Sequence, residues 1–322
     1  MPGEEPKNQH YVHRAYLEGF QDPAQGRNGE GYVWVYMPGK SPFRQRPERV
    51  ARRNYYYCYR REQQRQFLVE HTLQKLEDLA LPILRQLRER RFTLNPQDRL
   101  TFAGYIALSH TRVPTFERSV NRISSLLVAK QLEFVANDKR ALGEAVAAMR
   151  EQTGEEIDPE EFQKKLTGGT VVAKQTSRGW SLRQMFGMML GLQQVICSMN
   201  WTFLLAPEGD AGFLTSDNPV ALFDPIGAPV GGIGFASSPA AHFTFPISRD
   251  VALLVKHQHG HESVEINGYR VRSVNKGTIT RADSQLYAPF RSTPVQRLLD
   301  SVVRERPVSP RILIRKGRVV EE

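Results

Sequence analysis

The apolar residues change their period once along the chain, and that change limits what it can fold into. From Gln63 to Ser198 they recur at helical spacing, whereas from Thr202 onward they gather in short runs bounded by Gly, Pro, Asn and Asp. A helical middle followed by a strand-rich last third predicts an α+β fold rather than an alternating α/β one. Phe67, Leu73, Leu76, Leu79, Leu81, Ile83, Leu84 and Leu87 place a helix over Gln63 to Arg91, with a kink or break expected at Pro82. Asn95, Pro96 and Asp98 supply the cap, first position and first-turn acid of a second helix. Leu100, Ala103, Ile106, Ala107 and His110 share one of its faces, and Pro114 is expected to end it. A third helical stretch covers Phe116 to Ala136, and a charged amphipathic segment covers Asp138 to Leu166, where Asp158 and Pro159 repeat the capping pattern. An apolar helix spans Ser181 to Ser198.

Strands are expected in "GYVWVYMP", then at Thr202 to Leu205, Gly212 to Thr215, Ala241 to Pro246, Val251 to Lys256 and Ser263 to Ser273. Residues 40–60 read as irregular, "DPIGAPVGGIGFASSP" as a loop, and helices near Ser273 to Arg281 and Thr293 to Arg306 close the pattern. The expected architecture is one domain over 1–322. Its central helical bundle, about 63–198, combines with a mostly antiparallel sheet built from an N-terminal strand and the strands of a β-rich part, about 200–290.

Lys and Arg outnumber Asp and Glu by 44 to 34, a net charge of +10, which favours anionic partners such as nucleic acid. The surplus concentrates in Arg44, Arg46, Arg49, Arg52, Arg53, Arg60, Arg61 and Arg65, opposed only by Glu48 and Glu62. Smaller groups are Arg85 to Arg91 and the tail from Arg304 to Arg318. A solvated basic face is the competing explanation. Cys58 and Cys197, far apart in sequence, make neither a disulfide framework nor a zinc cluster. The opening "MPGEEPKNQH" has no apolar h-region and no run approaches a membrane span, so a cytoplasmic protein without membrane contact is expected.

The chemistry-bearing residues are scattered. His10 beside Tyr11 can be a general base, a metal ligand or a structural residue. His110 and Arg112 sit in "SHTRVP", where Arg112 can clamp an anion or pair with Glu77 or Asp217. "TSDNP" puts Ser216, Asp217 and Asn218 at a strand end before Pro219, as an Asx turn or as polar groups on a rigid support. His257, His259 and His261 have the spacing of a metal-binding strand, but Gly260 and the polar surroundings favour a hairpin tip between Val251 to Lys256 and Ser263 to Arg272. Walker, Gly-x-Ser-x-Gly and His-Glu-x-x-His signatures are absent.

"QHYVHRAYLEGF", "KLEDLALPIL", "IALSHTRVP", "NWTFLLAP" with "GFLTSDNPV", and "AHFTFPIS" with "SVNKGTITRADSQLYAP" occur in an order that resembles the bacterial and fungal domain of unknown function 4238 family over nearly the whole chain. The family's pattern favours His10 over His13 and includes the acidic Glu77, but implies no activity. The leading expectation is an enzyme, a nuclease or other phosphodiester hydrolase. Its catalytic set would be His10, Glu77, Arg112, Ser216 and Asp217, with Tyr11, His110, Asn218, Arg52 and Arg53 binding. No cofactor is named, but a divalent metal on His10 and Asp217 is compatible with the set. The rival is a non-catalytic nucleic-acid-binding or regulatory module in which the same residues hold the fold, and a third reading is a small-molecule or nucleotide enzyme. No oligomeric state is assigned.

Overall fold

The computed structural model describes residues 7–25, 31–61, 64–168, 170–172, 178–223, 238–258, 260–304, 312–315 and 318–321. Residues 224–237, where a glycine-rich loop is expected, and His259 lie outside them. In chain order the elements begin β1 (Asn8–His10), α1 (Arg14–Leu17), β2 (Val33–Met37), β3 (Lys40–Gln45), β4 (Arg52–Asn54), β5 (Tyr59–Arg61) and β6 (Gln64–Gln66). Next come α2 (Leu68–Arg88), α3 (Pro96–Thr111), α4 (Pro114–Asn137), α5 (Lys139–Thr153), α6 (Pro159–Gly168), β7 (Thr170–Val172) and α7 (Arg178–Ser198). The rest are β8 (Asn200–Leu205), β9 (Thr215–Ser216), β10 (Ala221–Phe223), β11 (His242–Pro246), β12 (Val251–Lys256), β13 (Ser263–Glu265), α8 (Gly268–Arg281), β14 (Leu286–Ala288), α9 (Thr293–Arg304), β15 (Ile312–Arg315) and β16 (Arg318–Glu321). The fold is α+β, with antiparallel and mixed sheets.

The chain divides into two compact units, one of residues 1–117 with 178–306 and one of 118–177 with 307–322. In the second, β7, β15 and β16 form a three-stranded antiparallel sheet, and Ala129 and Ile312 centre a small core with Leu126, Leu132 and Val319.

The first unit holds the main sheet, ordered β10-β11-β12-β8-β13. Side chains alternate across a strand, so each face of this sheet carries its own set. Trp201, Phe203 and Phe245 belong to one face; Phe102 meets Trp201 and Phe245 edge-on, and Phe92 stacks on Phe203 at 4.5 Å. Leu204 and Ala252 belong to the other face, where they share a core with Val271 of α8. Burying such aromatic and aliphatic side chains contributes roughly 1.5–3 kcal/mol each. A second sheet, β3-β2-β14-β9, joins the N-terminal strand to a C-terminal one, as the α+β reading expects. It carries the "TSDNP" corner on β9.

Several local expectations need correction. Residues 40–60 contain β3, β4 and the start of β5, because backbone pairing along an edge needs no apolar alternation. Pro82 does not break α2, which runs unbroken from Leu68 to Arg88. Pro114 opens α4 instead of ending α3: its ring suits the first helical turn, where no intrahelical N–H bond is lost. Ser263 to Ser273 is a strand only as far as Glu265. Asn267 then caps α8, its side chain accepting the Arg270 N–H at 3.0 Å. Nor do β12 and β13 form a hairpin, since β13 lies parallel to β8 on its far side.

Gly212 supplies the backbone freedom the corner requires. Its φ is +86°, and a Cβ there would stand 2.3 Å from the Arg249 carbonyl that accepts the Phe213 N–H at 2.7 Å.

Candidate functional site

Gln9, His10 and Tyr11 each reach a different part of the first unit. Gln9 is fully buried, and its side-chain oxygen accepts the Tyr57 N–H at 2.6 Å while its amide donates to Cys58 Sγ at 3.5 Å. The His10 carbonyl accepts from the Arg112 guanidinium and from the Tyr57 hydroxyl at 3.2 Å. Tyr11 places its ring edge-on to Tyr56 at 6.1 Å, and its hydroxyl is hydrogen-bonded to Tyr287.

Arg112 ends α3 in the interior, only 4 % exposed. Its guanidinium donates to Glu77 at 2.5 Å, to the Tyr57 hydroxyl at 3.1 Å and to the His10 carbonyl. Burial works against its charge, but Tyr57 and Glu77 outweigh burial and hold the group above its ordinary pKa. Glu77 projects from α2 with His13 Nε2 3.9 Å from its second oxygen, and His13 Nδ1 lies 3.1 Å from the Tyr105 hydroxyl. Burial lowers His13 to about 4, so the imidazole is neutral at pH 7 and its contact with Glu77 is no ion pair. Burial pushes the nearby Glu70 carboxyl up to about 7; Arg112 pulls against this and Glu77 adds to it.

The "TSDNP" corner is tied down separately. Asp217, 2 % exposed, accepts the backbone N–H groups of Asp283 at 2.7 Å, Ser284 at 2.8 Å and Gln285 at 2.9 Å, and the Ser284 hydroxyl at 3.1 Å. Burial and Asp283 push its carboxyl up to about 6, against the downward pull of those donors. Ser216 closes a local turn, its hydroxyl donating to the Asn218 carbonyl at 2.8 Å and accepting the Asn218 N–H at 3.1 Å. The Asn218 amide donates to the Arg281 carbonyl at 2.9 Å.

The structure thus joins Arg112, Glu77 and the His10 backbone, as the helix-locking alternative for Arg112 expects. It places Asp217, Ser216 and Asn218 in a second cluster that latches β9 to residues 283–285. Tyr11 is the bridge, feeling the Asp217 charge from beside His10. No direct bond between Asp217 and either His10 or Arg112 is present among the described residues, and no group of three or more His, Cys, Asp or Glu placed to hold a metal occurs there. His257 follows the end of β12, where its carbonyl accepts from the Asn200 amide at 2.9 Å, and His261 is exposed. Gln9, Tyr57, Tyr105 and Tyr287 belong to the network but escaped the sequence reading. Only the dense "NYYYC" run signals Tyr57, since a cluster of tyrosines needs buried partners for its hydroxyls.

Two groups keep unused chemistry. The His10 ring bonds the Glu48 carbonyl, which leaves Nε2 buried and without a partner; burial and Arg112 lower its pKa. His110 Nδ1 is likewise buried and unpartnered, and burial lowers that ring to about 4. The folded pKa of His110 lies below the unfolded 6.5, so its contribution is full above pH 6.5 and is lost as pH falls toward 4. Relative to His110→Gln, the wild-type protein is expected to lose on the order of 2–3 kcal/mol between pH 7 and 4 in urea titrations. Glu70 has the opposite sign, and relative to Glu70→Gln the wild type should gain stability as pH falls from 7 through 4.5.

Outside both clusters, exposed Arg44 lies over Trp34 at 4.8 Å and half-buried Arg46 over Tyr32 at 5.8 Å. Exposed Arg53 lies over both Tyr11 and Tyr56, at 5.7 and 5.6 Å. Arg52 is exposed and sits opposite His10 in the β1–β4 ladder. Among the described residues, no helix is long and apolar enough to cross a membrane.

The chain matches the family model described as "Protein of unknown function (DUF4238)" over residues 8–291. No curated protein and no solved structure matches it.

Proposed function

The chain belongs to the DUF4238 family, and from that premise we propose that it binds nucleic acid through the arginine-rich segment 44–53, while the buried Arg112 and Asp217 clusters hold the fold. One observation carries the proposal: the segment holds five arginines, and three of them, Arg44, Arg46 and Arg53, are laid over Trp34, Tyr32, Tyr11 and Tyr56. A guanidinium held over a ring is a preset phosphate contact, and the ring beneath limits the side-chain entropy lost on binding. Glu48 is the one acidic residue within the segment, and Asp22 stands 3.9 Å from Arg44.

Fluorescence anisotropy with labelled 20-nucleotide RNA and DNA probes (about one binding site long) over a salt series tests the proposal. The salt slope is expected to fall by about one unit for each phosphate-contacting arginine removed. Arg52→Glu with Arg53→Glu should weaken binding about tenfold or more, while binding unchanged in that pair would overturn the assignment.

A second reading, phosphodiester hydrolysis, draws on the unpartnered His10 Nε2 beside Arg52. With its other nitrogen fixed on a carbonyl, that atom is oriented as a proton acceptor. Cleavage of the same probes that His10→Gln abolishes without loss of binding would support it; intact probes in the presence of Mg2+, Mn2+ or Zn2+ would count against it.

A further inference from the structure

We propose that the cavity between α8 and the five-stranded sheet binds a medium-chain acyl carboxylate, at a site separate from the basic segment. The cavity holds about 560 Å³. Leu204, Leu254, Ile266 and Val274 give it an aliphatic surface, beside the aromatic ring of Phe223. Thr244 enters it from β11; this residue is 5 % exposed, yet its hydroxyl has no hydrogen-bond partner. A buried hydroxyl left unmatched costs free energy, so a ligand oxygen that accepts from it gains what the empty cavity forgoes.

The charge around the cavity fixes the sign of the ligand. Arg270 and Lys276 both line it from exposed positions on α8, with Ser273 midway between them on the helix. Among the described residues, no carboxylate is in the lining. An anionic head takes the Thr244 hydroxyl with one oxygen and faces the two rim cations with the other, and it leaves its hydrocarbon chain on the aliphatic side chains. A nucleobase fits less well, because the described lining offers no side-chain amide or carboxylate to read a base edge. Phe223 and His242 form a wall, already stacked on each other at 5.3 Å, and Arg281 lies 5.6 Å from the Phe223 ring.

Decanoate is the probe, titrated calorimetrically into the full chain, with decanol and acetate as controls for head and chain. Decanoate is expected to bind with a dissociation constant below about 1 mM, and each control at least about tenfold more weakly. Arg270→Ala with Lys276→Ala should weaken decanoate about tenfold or more without lowering the thermal midpoint of the free protein. Ser273→Trp should obstruct the rim and abolish binding. Thr244→Val should weaken decanoate while stabilising the empty protein, which a residue that merely packs would not do. Absence of decanoate binding, or binding that the charge pair or Ser273→Trp leaves unchanged, would overturn the proposal.

Discussion

Arg112→Ala is expected to cost about 3–5 kcal/mol of folding stability. The magnitude follows from what the guanidinium leaves behind. Glu77, its side chain 15 % exposed, would keep a negative charge near Glu70 with no cation against it. The His10 carbonyl would retain only the Tyr57 hydroxyl at 3.2 Å. Arg112→Lys should recover little, since an ammonium lacks the planar fork that reaches Glu77, Tyr57 and His10 at once. The double variant Arg112→Met with Glu77→Met should lose less than the sum of the single changes, because it removes both charges together. Urea unfolding measures all three. A loss under about 1 kcal/mol for Arg112→Ala would mean that the pair is not a structural lock.

Asp217→Ala ranks next. Three backbone N–H groups and one hydroxyl converge on this carboxylate, and deleting it orphans them where water is excluded. An unsatisfied buried donor costs about 1–3 kcal/mol, and partial relaxation of residues 283–285 reduces the sum, so a loss on the order of 4 kcal/mol is expected. Asp217→Asn should fall between, because it retains one accepting oxygen but turns an NH2 toward donors. A catalytic Asp217 would behave differently: its removal would abolish turnover and leave stability nearly unchanged. The two roles are separated by measuring unfolding beside activity on the same sample.

Where local chemistry decides the structure, the sequence was readable. Val251–Lys256 is a strand with the expected bounds, since a continuous apolar run buried on both faces has few alternatives. Asn95 caps α3 as expected, accepting the Asp98 N–H at 2.8 Å. Reading failed where a distant partner decides. The edge strands at 40–54 are polar along their length and are strands because β2 and β1 pair with them. Ser263 to Ser273 read as one strand, but the cap at Asn267 turns the chain into α8.

The candidate site was legible as a set of residues but not as a geometry. His10, Glu77 and Arg112 were singled out and do meet, yet through the His10 carbonyl, which no side-chain pattern announces. Asp217 looked available because its donors, the N–H groups of 283–285, are backbone atoms some 66 residues further on.

The most direct test of the central claim is the salt dependence of oligonucleotide binding, compared between wild-type protein and the Arg52→Glu, Arg53→Glu pair after unfolding curves confirm equal stability. The account expects binding that weakens steeply with salt and a shallower slope, with at least about tenfold lower affinity, in the pair. Salt-insensitive binding, or equal slopes in the two proteins, would contradict it and leave the exposed arginines as a solvated face.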